Sequence, residues 1–147
     1  MKVVLQRVKS AYVKVDSSVI SEINHGYLLL WGIEEADSEV ESEILINKIL
    51  NIRVFSDENL KMNKSIIDVG GEALIVSQFT LAADTTRGNR PGFSSAAPPD
   101  RGEELYEYFV KVFERHGIRC KQGVFGGDMN VSLVNNGPTT IWIDSRD

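Results

Sequence analysis

The stretch SLVNNGPTTIWID, residues 132–144, fixes the C-terminal part of the fold and raises the first functional question. Its alternation of apolar and polar residues predicts a strand up to Val134 and another over Thr139–Ile143. Proline cannot donate a backbone hydrogen bond to a sheet, and glycine, lacking a Cβ, lets the backbone press against a ligand. Gly137-Pro138 is therefore either part of a plain turn or a rigid backbone wall without side chains.

Length and composition limit the class of protein. The 147 residues favour one domain over 1–147, and 42% apolar with 25% charged residues is typical of a soluble globule. No apolar run approaches the roughly 20 residues that cross a bilayer, and the N-terminus resembles a strand rather than a signal peptide. We therefore expect a cytoplasmic protein that is not associated with a membrane. The net charge of −5 argues against wrapping duplex nucleic acid, but not against gripping a short single-stranded end.

Strands dominate the N-terminal part of the chain. They are predicted in two pairs, around turns at Lys9-Ser10 and Asn24–Gly26: Lys2–Val8, Ala11–Asp16, Val19–Ile23 and Tyr27–Ile33. The Tyr27–Trp31 run is nearly all apolar, which indicates a strand buried on both faces. Further strands are predicted over Arg53–Phe55, Leu74–Gln78, Asn130–Val134 and Thr139–Ile143.

Two main helices are predicted. Ser38 and Glu41 form a capping box before an apolar stripe, and a second amphipathic helix follows Pro98-Pro99, where Asp100 and Glu103 can cap it before Gly117 ends it. Together with the strands, this pattern predicts an α+β fold with helices on one face of a mixed or largely antiparallel sheet.

Most standard catalytic motifs are absent. There is no G-x-S-x-G, P-loop, G-x-G-x-x-G or H-E-x-x-H sequence. His25 lies in a predicted turn and His116 on the apolar side of a helix, without a second metal ligand. Cys120 has no activating neighbour and is expected to pack. We therefore expect no metal and no cofactor, and a conventional serine hydrolase is disfavoured.

One central segment indicates a ligand site. An apolar strand ends at Ser77-Gln78-Phe79-Thr80, which either caps a strand end or presents hydroxyls and free backbone N–H groups to a ligand. The Gly- and Pro-rich loop over residues 85–99 follows, and loops of this length are usually functional. Arg87 and Arg90 make it a cationic patch on an acidic protein, suited to a phosphate or a nucleic-acid terminus.

Ser77–Leu81 (SQFTL) and Asn135–Thr140 (NNGPTT) together resemble the two signature motifs of the D-aminoacyl-tRNA deacylase family. The resemblance extends in order and spacing to the opening strand with Arg7, the Arg87–Phe93 loop and Phe125–Met129 (FGGDM). Asn136 and Thr139 stand where the family often has Asp and Val. Threonine keeps the shape of valine and adds a hydroxyl.

The resemblance implies a layered β-β-α sandwich, a cytoplasmic homodimer and no cofactor. The implied reaction is hydrolysis of the ester that joins a D-amino acid to the 3′-terminal adenosine of a tRNA, with achiral glycine also accepted. The Gly137-Pro138 bond would be cis and reach into the partner's active site, with Arg7 helping to hold it. Such a wall sorts enantiomers by repulsion, because an L-residue points its side chain where a D-residue points hydrogen.

The resemblance also assigns roles to residues. Ser77, Gln78, Phe79 and Thr80 form the catalytic segment, in which the N–H groups of Phe79 and Thr80 could form an oxyanion hole worth about 3 kcal/mol per donor. Thr80 is either a nucleophile without an evident base or a positioning group, with water or the ribose 2′-hydroxyl completing the chemistry. The remaining predicted residues bind substrate (Gly137, Pro138, Arg7, Phe125, Met129, Ala97) or tRNA (Arg87, Arg90), and for Phe125 and Met129 a core role is the alternative.

Two other functions stay open. One is a related deacylase for L-alanyl-tRNA, in which the Gly-Pro bond would be trans. The other is a non-catalytic module that binds RNA 3′ ends.

Overall fold

The computed structural model describes residues 1–147. The strands are β1 (Lys2–Val15), β2 (Ser18–Ile23), β3 (Gly26–Gly32), β4 (Phe55–Ser56), β5 (Met62–Lys64), β6 (Glu72–Ser77), β7 (Arg119–Gln122) and β8 (Asn130–Asp144). The helices are α1 (Glu39–Asn51), α2 (Ile66–Val69) and α3 (Pro99–Arg115), with a 3₁₀ turn over Phe79–Ala82.

The N-terminal strands form one long hairpin. β1 is continuous, so the predicted turn at Lys9-Ser10 is wrong, and the chain reverses at Asp16-Ser17, where φ is 48° and 66°. Asp and Ser tolerate such turn conformations, whereas a Lys-Ser pair without Gly, Asn or Pro continues a strand. β2 and β3 do not pair with each other, because both lie opposite β1 in succession and are separated only at Asn24-His25.

The main sheet is mixed. Its order is β2-β1-β3-β6-β7, and β8 pairs with the free edge of β1. β1 is antiparallel to β2, β3 and β8, whereas the β3–β6 and β6–β7 pairs are parallel.

The sheet separates two apolar clusters. Tyr27, Leu29 and Ile75 face α1 and α3 in the larger cluster, whereas Leu28 and Val76 belong to a second cluster on the other face. Residues of β1 and β2 complete this second cluster: Val8, Ala11, Val13 and Ile23. A hydrogen bond from the Ser21 hydroxyl to the Gln122 carbonyl joins β2 to β7. β3 is therefore buried on both faces as predicted, and the layered α+β fold is confirmed.

The predicted N-terminal cap is correct for α1 and wrong for α3. α1 begins with the predicted capping box, since Val40 N–H donates to Ser38 Oγ (3.2 Å) and Ser38 N–H donates to Glu41 Oε2 (2.8 Å). Capping of α3 by Asp100 or Glu103 is wrong, because the helix already begins at Pro99 and has no side-chain cap. None of the helices combines the length and apolarity needed to cross a bilayer.

The predicted strand over Arg53–Phe55 is also wrong. Only Phe55 of that run lies in a strand, the short β4, which pairs with β5 outside the main sheet. Three apolar or amphipathic residues in a row cannot by themselves distinguish a strand from a buried loop.

Candidate active site

The Gly-Pro segment lies in a bulge of β8 rather than in a turn. Val8 pairs with Asn135 and Gln6 pairs with Thr140, so Arg7 alone faces residues 136–139. β8 continues with the same partner on both sides, which corrects the prediction of two separate strands. A bulge places extra residues outside the hydrogen-bond ladder without ending the strand, and this one contains the cis Gly137-Pro138 bond.

Arg7 holds this bulge from the neighbouring strand. Its Nε donates to the carbonyl oxygen of Asn136 (3.1 Å), and another guanidinium N–H donates to the carbonyl of Val54. Gly137 has φ of 119°, and a Cβ added there would lie 2.5 Å from Arg7 Nη2 and 2.8 Å from Thr139 Oγ1. Only glycine fits between these groups without displacing them.

A separate cavity of about 290 Å³ lies where β6 ends. It is lined by parts of β3 and β6, the 3₁₀ turn, the end of the long loop, the start of α3 and the segment before β8: Trp31, Ile33, Ser77, Gln78, Phe79, Ala96, Ala97, Pro99, Gly102, Phe125 and Gly126. None of these side chains is ionisable. The cavity can therefore position and desolvate a substrate, but it supplies no side-chain general base.

The predicted catalytic segment, Ser77–Thr80, begins at the last β6 pairing. Gln78 N–H donates to the Trp31 carbonyl (2.7 Å), and the chain then enters the 3₁₀ turn. The N–H groups of Phe79 and Thr80 have no acceptor within this turn, because its first backbone bond runs from Leu81 N–H to the Gln78 carbonyl (3.1 Å). The N–H groups of Phe79 and Thr80 can therefore donate to an acceptor outside the turn, next to the exposed ring of Phe79.

Thr80 has a polar partner but no base. The Gln78 side-chain amide donates to Thr80 Oγ1, and no carboxylate or imidazole hydrogen-bonds to this hydroxyl. The hydroxyl proton is therefore free to be donated. This arrangement suits a positioning group better than a nucleophile, which needs an acceptor for its proton.

Close helix packing shapes the cavity wall. A Cβ on Gly102 of α3 would lie 3.2 Å from Phe125 Cζ and 3.9 Å from Ala97 Cβ, so glycine lets the Phe125 ring approach the helix. Ala97 N–H donates to the Ile33 carbonyl (3.0 Å), which ties the loop to the residue after β3. Gly102 and Trp31 were not predicted as cavity residues from the sequence. A glycine within an amphipathic helix is nevertheless a usable signal, because it lowers helix stability.

A buried tyrosine borders this region without taking part in it. The Tyr106 hydroxyl donates to the Ile75 carbonyl (2.6 Å), and burial raises the pKa of this phenol above its usual range. Tyr106 therefore stays neutral and serves the packing of α3 on β6.

Several predicted site residues lie away from the cavity. Met129 packs on the other face of the sheet, where its sulfur accepts from Val124 N–H (3.3 Å), as its alternative core role requires. Arg87 and Arg90 are exposed in the loop segment that is closed by mutual hydrogen bonds between Asp84 and Gly92 (2.8 and 2.9 Å). Gly137 and Pro138 are exposed on β8, which is separated from β6 by β1 and β3.

The model of the D-Tyr-tRNA(Tyr) deacylase family matches residues 4–144. The chain belongs to this family. Membership in the D-Tyr-tRNA(Tyr) deacylase family confirms the predicted family and the predicted enzyme class, a hydrolase.

Relatives in this deacylase family match along the whole chain. The D-aminoacyl-tRNA deacylase of Jannaschia sp. (strain CCS1) is 51% identical over 145 residues, covering 99% of each chain. That of Bacillus pumilus (strain SAFR-032) is 48% identical over 147 residues, covering all of both chains.

Solved structures show the same fold. A structure titled "c-Myc DNA Unwinding Element Binding Protein" has a TM-score of 0.92 and 42% identity and covers 98% of each chain. Another, titled as a probable eukaryotic D-amino acid tRNA deacylase, has a TM-score of 0.83 at 18% identity, which supports the fold alone. It covers 97% of this chain and 98% of its own.

Proposed function

We propose that this chain hydrolyses the ester bond of D-aminoacyl-tRNA, releasing the free D-amino acid and the tRNA, and that it accepts glycyl-tRNA as well. The observation that carries the proposal is that relatives bearing the name D-aminoacyl-tRNA deacylase match nearly the whole chain at about half identity. The proposed site for the aminoacyl end is the cavity lined by Ser77, Gln78 and Phe79.

The proposed chemistry depends on positioning and charge stabilisation. In the direct path, water attacks the ester carbonyl, and a proton from this water passes to the 3′-oxygen, which leaves as a hydroxyl. In the alternative path, the adjacent ribose 2′-hydroxyl attacks first and gives its proton to the departing 3′-oxygen, and water then cleaves the resulting 2′-ester. The free N–H groups of Phe79 and Thr80 stabilise the oxyanion, which preorganised donors do most effectively where water is excluded. The absence of ionisable side chains in the cavity fits this mechanism, since an aminoacyl ester is already activated.

The proposed selectivity depends on a second copy of the chain. Gly137 and Pro138 lie across the sheet from the cavity of their own chain, so in a homodimer they would reach the cavity of the partner. β8 is an edge strand, and Val134 and Trp142 on it are each 51% exposed, which suits a contact surface. There, the Gly137 and Pro138 carbonyls would bind the α-ammonium group, and the backbone would exclude an L side chain.

The tRNA contact completes the proposal. Arg87 and Arg90 would contact backbone phosphates of the acceptor end from the rim of the long loop, as isolated cations on an acidic protein can. Since aminoacylated tRNA is used during translation, the proposed location is the cytoplasm.

A paired assay tests the function. D-Tyr-tRNA and L-Tyr-tRNA are incubated with the protein, and release of amino acid is compared with spontaneous ester hydrolysis. We expect rapid cleavage of the D-form and background cleavage of the L-form. Equal cleavage of both would reject the backbone wall. Binding of both without cleavage would indicate the 3′-end binding module, and preferential cleavage of L-Ala-tRNA would indicate the related L-specific deacylase.

A mixing experiment tests the shared site. Ala97→Leu fills the cavity but leaves the Gly-Pro segment intact. Gly137→Ala disturbs the Gly-Pro segment but leaves the cavity intact. If the motif acts on the partner, co-refolding equal amounts of the two impaired chains should add roughly a quarter of wild-type kcat/KM to their residual activity, because half of the dimers are mixed and each mixed dimer has one intact site. If the motif acts within its own chain, the mixture keeps only the residual activity of the two variants.

A further inference from the structure

Arg7 is a buried cation without a counter-ion in this chain. Its residue is only 7% exposed, and its guanidinium donates to two backbone carbonyls, those of Asn136 and Val54. No carboxylate lies within 4.0 Å of it, although the chain contains 21 Asp and Glu residues. A buried charge is costly unless it is paired, so the site favours an anion.

Arg7 also lines a small pocket. Its volume is about 180 Å³, and its lining residues are Arg7, His25, Phe55, Ser56, Val69 and Asn136. The four polar side chains among them can all donate hydrogen bonds, and none is a carboxylate. The lining therefore includes one positively charged side chain and no negatively charged one.

The walls of the pocket are held in place by the fold. The His25 ring packs edge-on against Phe55, with 5.0 Å between ring centroids, and the His25 carbonyl accepts from Glu72 N–H (3.0 Å). Asn136 is the first residue of the β8 bulge and is tied to Arg7. The donors therefore come from four separate parts of the chain that the sheet brings together.

We propose that this pocket binds a small oxyanion, a phosphate or a carboxylate, as the counter-ion of Arg7. A guanidinium matches both groups through its planar set of donors, and Ser56, His25 and Asn136 surround the remaining oxygens. The pocket is distinct from the larger cavity at the end of β6, with which it shares no lining residue.

The expected consequence is a more stable Gly-Pro bulge. The bound anion neutralises Arg7 while Arg7 continues to hold the Asn136 carbonyl, so occupancy should stabilise residues 136–139. An effect on D/L selectivity rests on the proposed function, whereas anion binding itself does not. Measuring binding without tRNA therefore separates the two.

Inorganic phosphate and acetate serve as probes. The melting temperature of the whole chain and the ³¹P linewidth of phosphate are followed during titration at constant ionic strength set with NaCl. We expect saturable binding in the millimolar range, and the stronger of the two ligands identifies the preferred source. His25→Ala and Ser56→Ala should each weaken binding about five- to tenfold, since each removes one donor. Lys111→Gln removes an exposed cation on α3 and should change nothing.

Ser56→Asp keeps the proposal testable if His25→Ala or Ser56→Ala does not fold. Ser56→Asp places a carboxylate at the pocket, so it should raise the melting temperature without phosphate and abolish the phosphate response. The proposal is overturned if binding does not saturate. It is also overturned if Ser56→Asp and wild type respond equally to phosphate, because phosphate stabilises many proteins through exclusion from their surfaces.

Discussion

The Nε of Arg7 lies 3.1 Å from the carbonyl oxygen of Asn136, and this hydrogen bond spans a bulge in which one residue of β1 faces four residues of β8. The Gly-Pro segment is therefore fixed by a buried side chain of the neighbouring strand as well as by its own backbone. This relationship makes the segment sensitive to any atom added between Arg7 and Thr139.

Gly137→Ala is expected to lower kcat/KM for D-Tyr-tRNA at least about tenfold and to reduce the D/L ratio. The new Cβ would lie 2.5 Å from Arg7 Nη2, and the φ of 119° disfavours any L side chain. Gly117→Ala is the matched control, since Gly117 also has positive φ (83°) but no atom within 4 Å of an added Cβ, and it lies just after α3, outside the proposed tRNA contacts. Equal kinetic losses in both variants would reject the role of the Arg7 contact.

Thr139→Val is expected to stabilise the chain by about 1 kcal/mol in urea unfolding, because an unpaired buried hydroxyl is costly. Thr139 Oγ1 is buried and has no hydrogen-bond partner, and valine has nearly the same shape. Thr140→Val provides the contrast, because Thr140 Oγ1 accepts from Asn135 (3.0 Å) and Gln6 (3.3 Å) and its loss should destabilise or be neutral. A destabilised Thr139→Val would mean that the hydroxyl has a partner in solution.

Thr80→Ala distinguishes a nucleophile from a positioning group. Because the Thr80 hydroxyl accepts from Gln78 and has no base, we expect turnover of D-Tyr-tRNA to fall less than about tenfold, whereas loss of a nucleophile costs several orders of magnitude. Single-turnover kinetics provide the measurement, and Thr86→Ala in the neighbouring loop is the control. Complete loss of turnover in a folded Thr80→Ala chain would revive covalent catalysis.

Ala97→Leu should raise KM for D-Tyr-tRNA several-fold or more, because leucine adds three carbon atoms inside a cavity of about 290 Å³. Ala83→Leu, directly after the 3₁₀ turn and outside the cavity lining, should leave KM near the wild-type value. Thermal unfolding of both variants separates loss of substrate space from loss of structure. An unchanged KM in Ala97→Leu would place substrate elsewhere.

Cys120 should react slowly with iodoacetamide at pH 8 in the native chain. Burial, with a smaller contribution from Glu114, raises the pKa of this thiol to about 12, so almost none of the reactive thiolate is present. Unfolding in urea returns the pKa toward its ordinary value and should accelerate the reaction at least about a hundredfold. Fast native alkylation would contradict the packing role predicted from the sequence.

Features encoded locally were predictable from the sequence. The capping box at Ser38 depends on neighbours three residues apart, and the apolar run at Tyr27–Trp31 reports burial on both faces whatever its partners. The long loop follows from its Gly and Pro residues, and the small polar residues place the end of β6 at Gln78, one residue after its observed end at Ser77. These signals were sufficient for the layered α+β fold.

Features that depend on strand partners were not predictable. Nothing within Val19–Ile23 shows that it continues opposite β1 rather than pairing with Tyr27–Ile33. The sequence around Gly137-Pro138 is equally compatible with a turn between two strands and with a bulge within one strand. Only the register of β8 on β1 distinguishes the turn from the bulge. The separation of Met129 from the cavity likewise follows from which face of the sheet its segment covers.

The β1–β8 pairing continues on both sides of the Gly-Pro bulge. This arrangement affects how the exposed segment can change during evolution. Residues inserted or removed between Asn135 and Thr140 would leave every rung before and after them in register, so the sheet would tolerate such changes while the projecting backbone moved outward or inward. Indels at this one place should thus alter the reach of the projection without refolding the rest of the molecule.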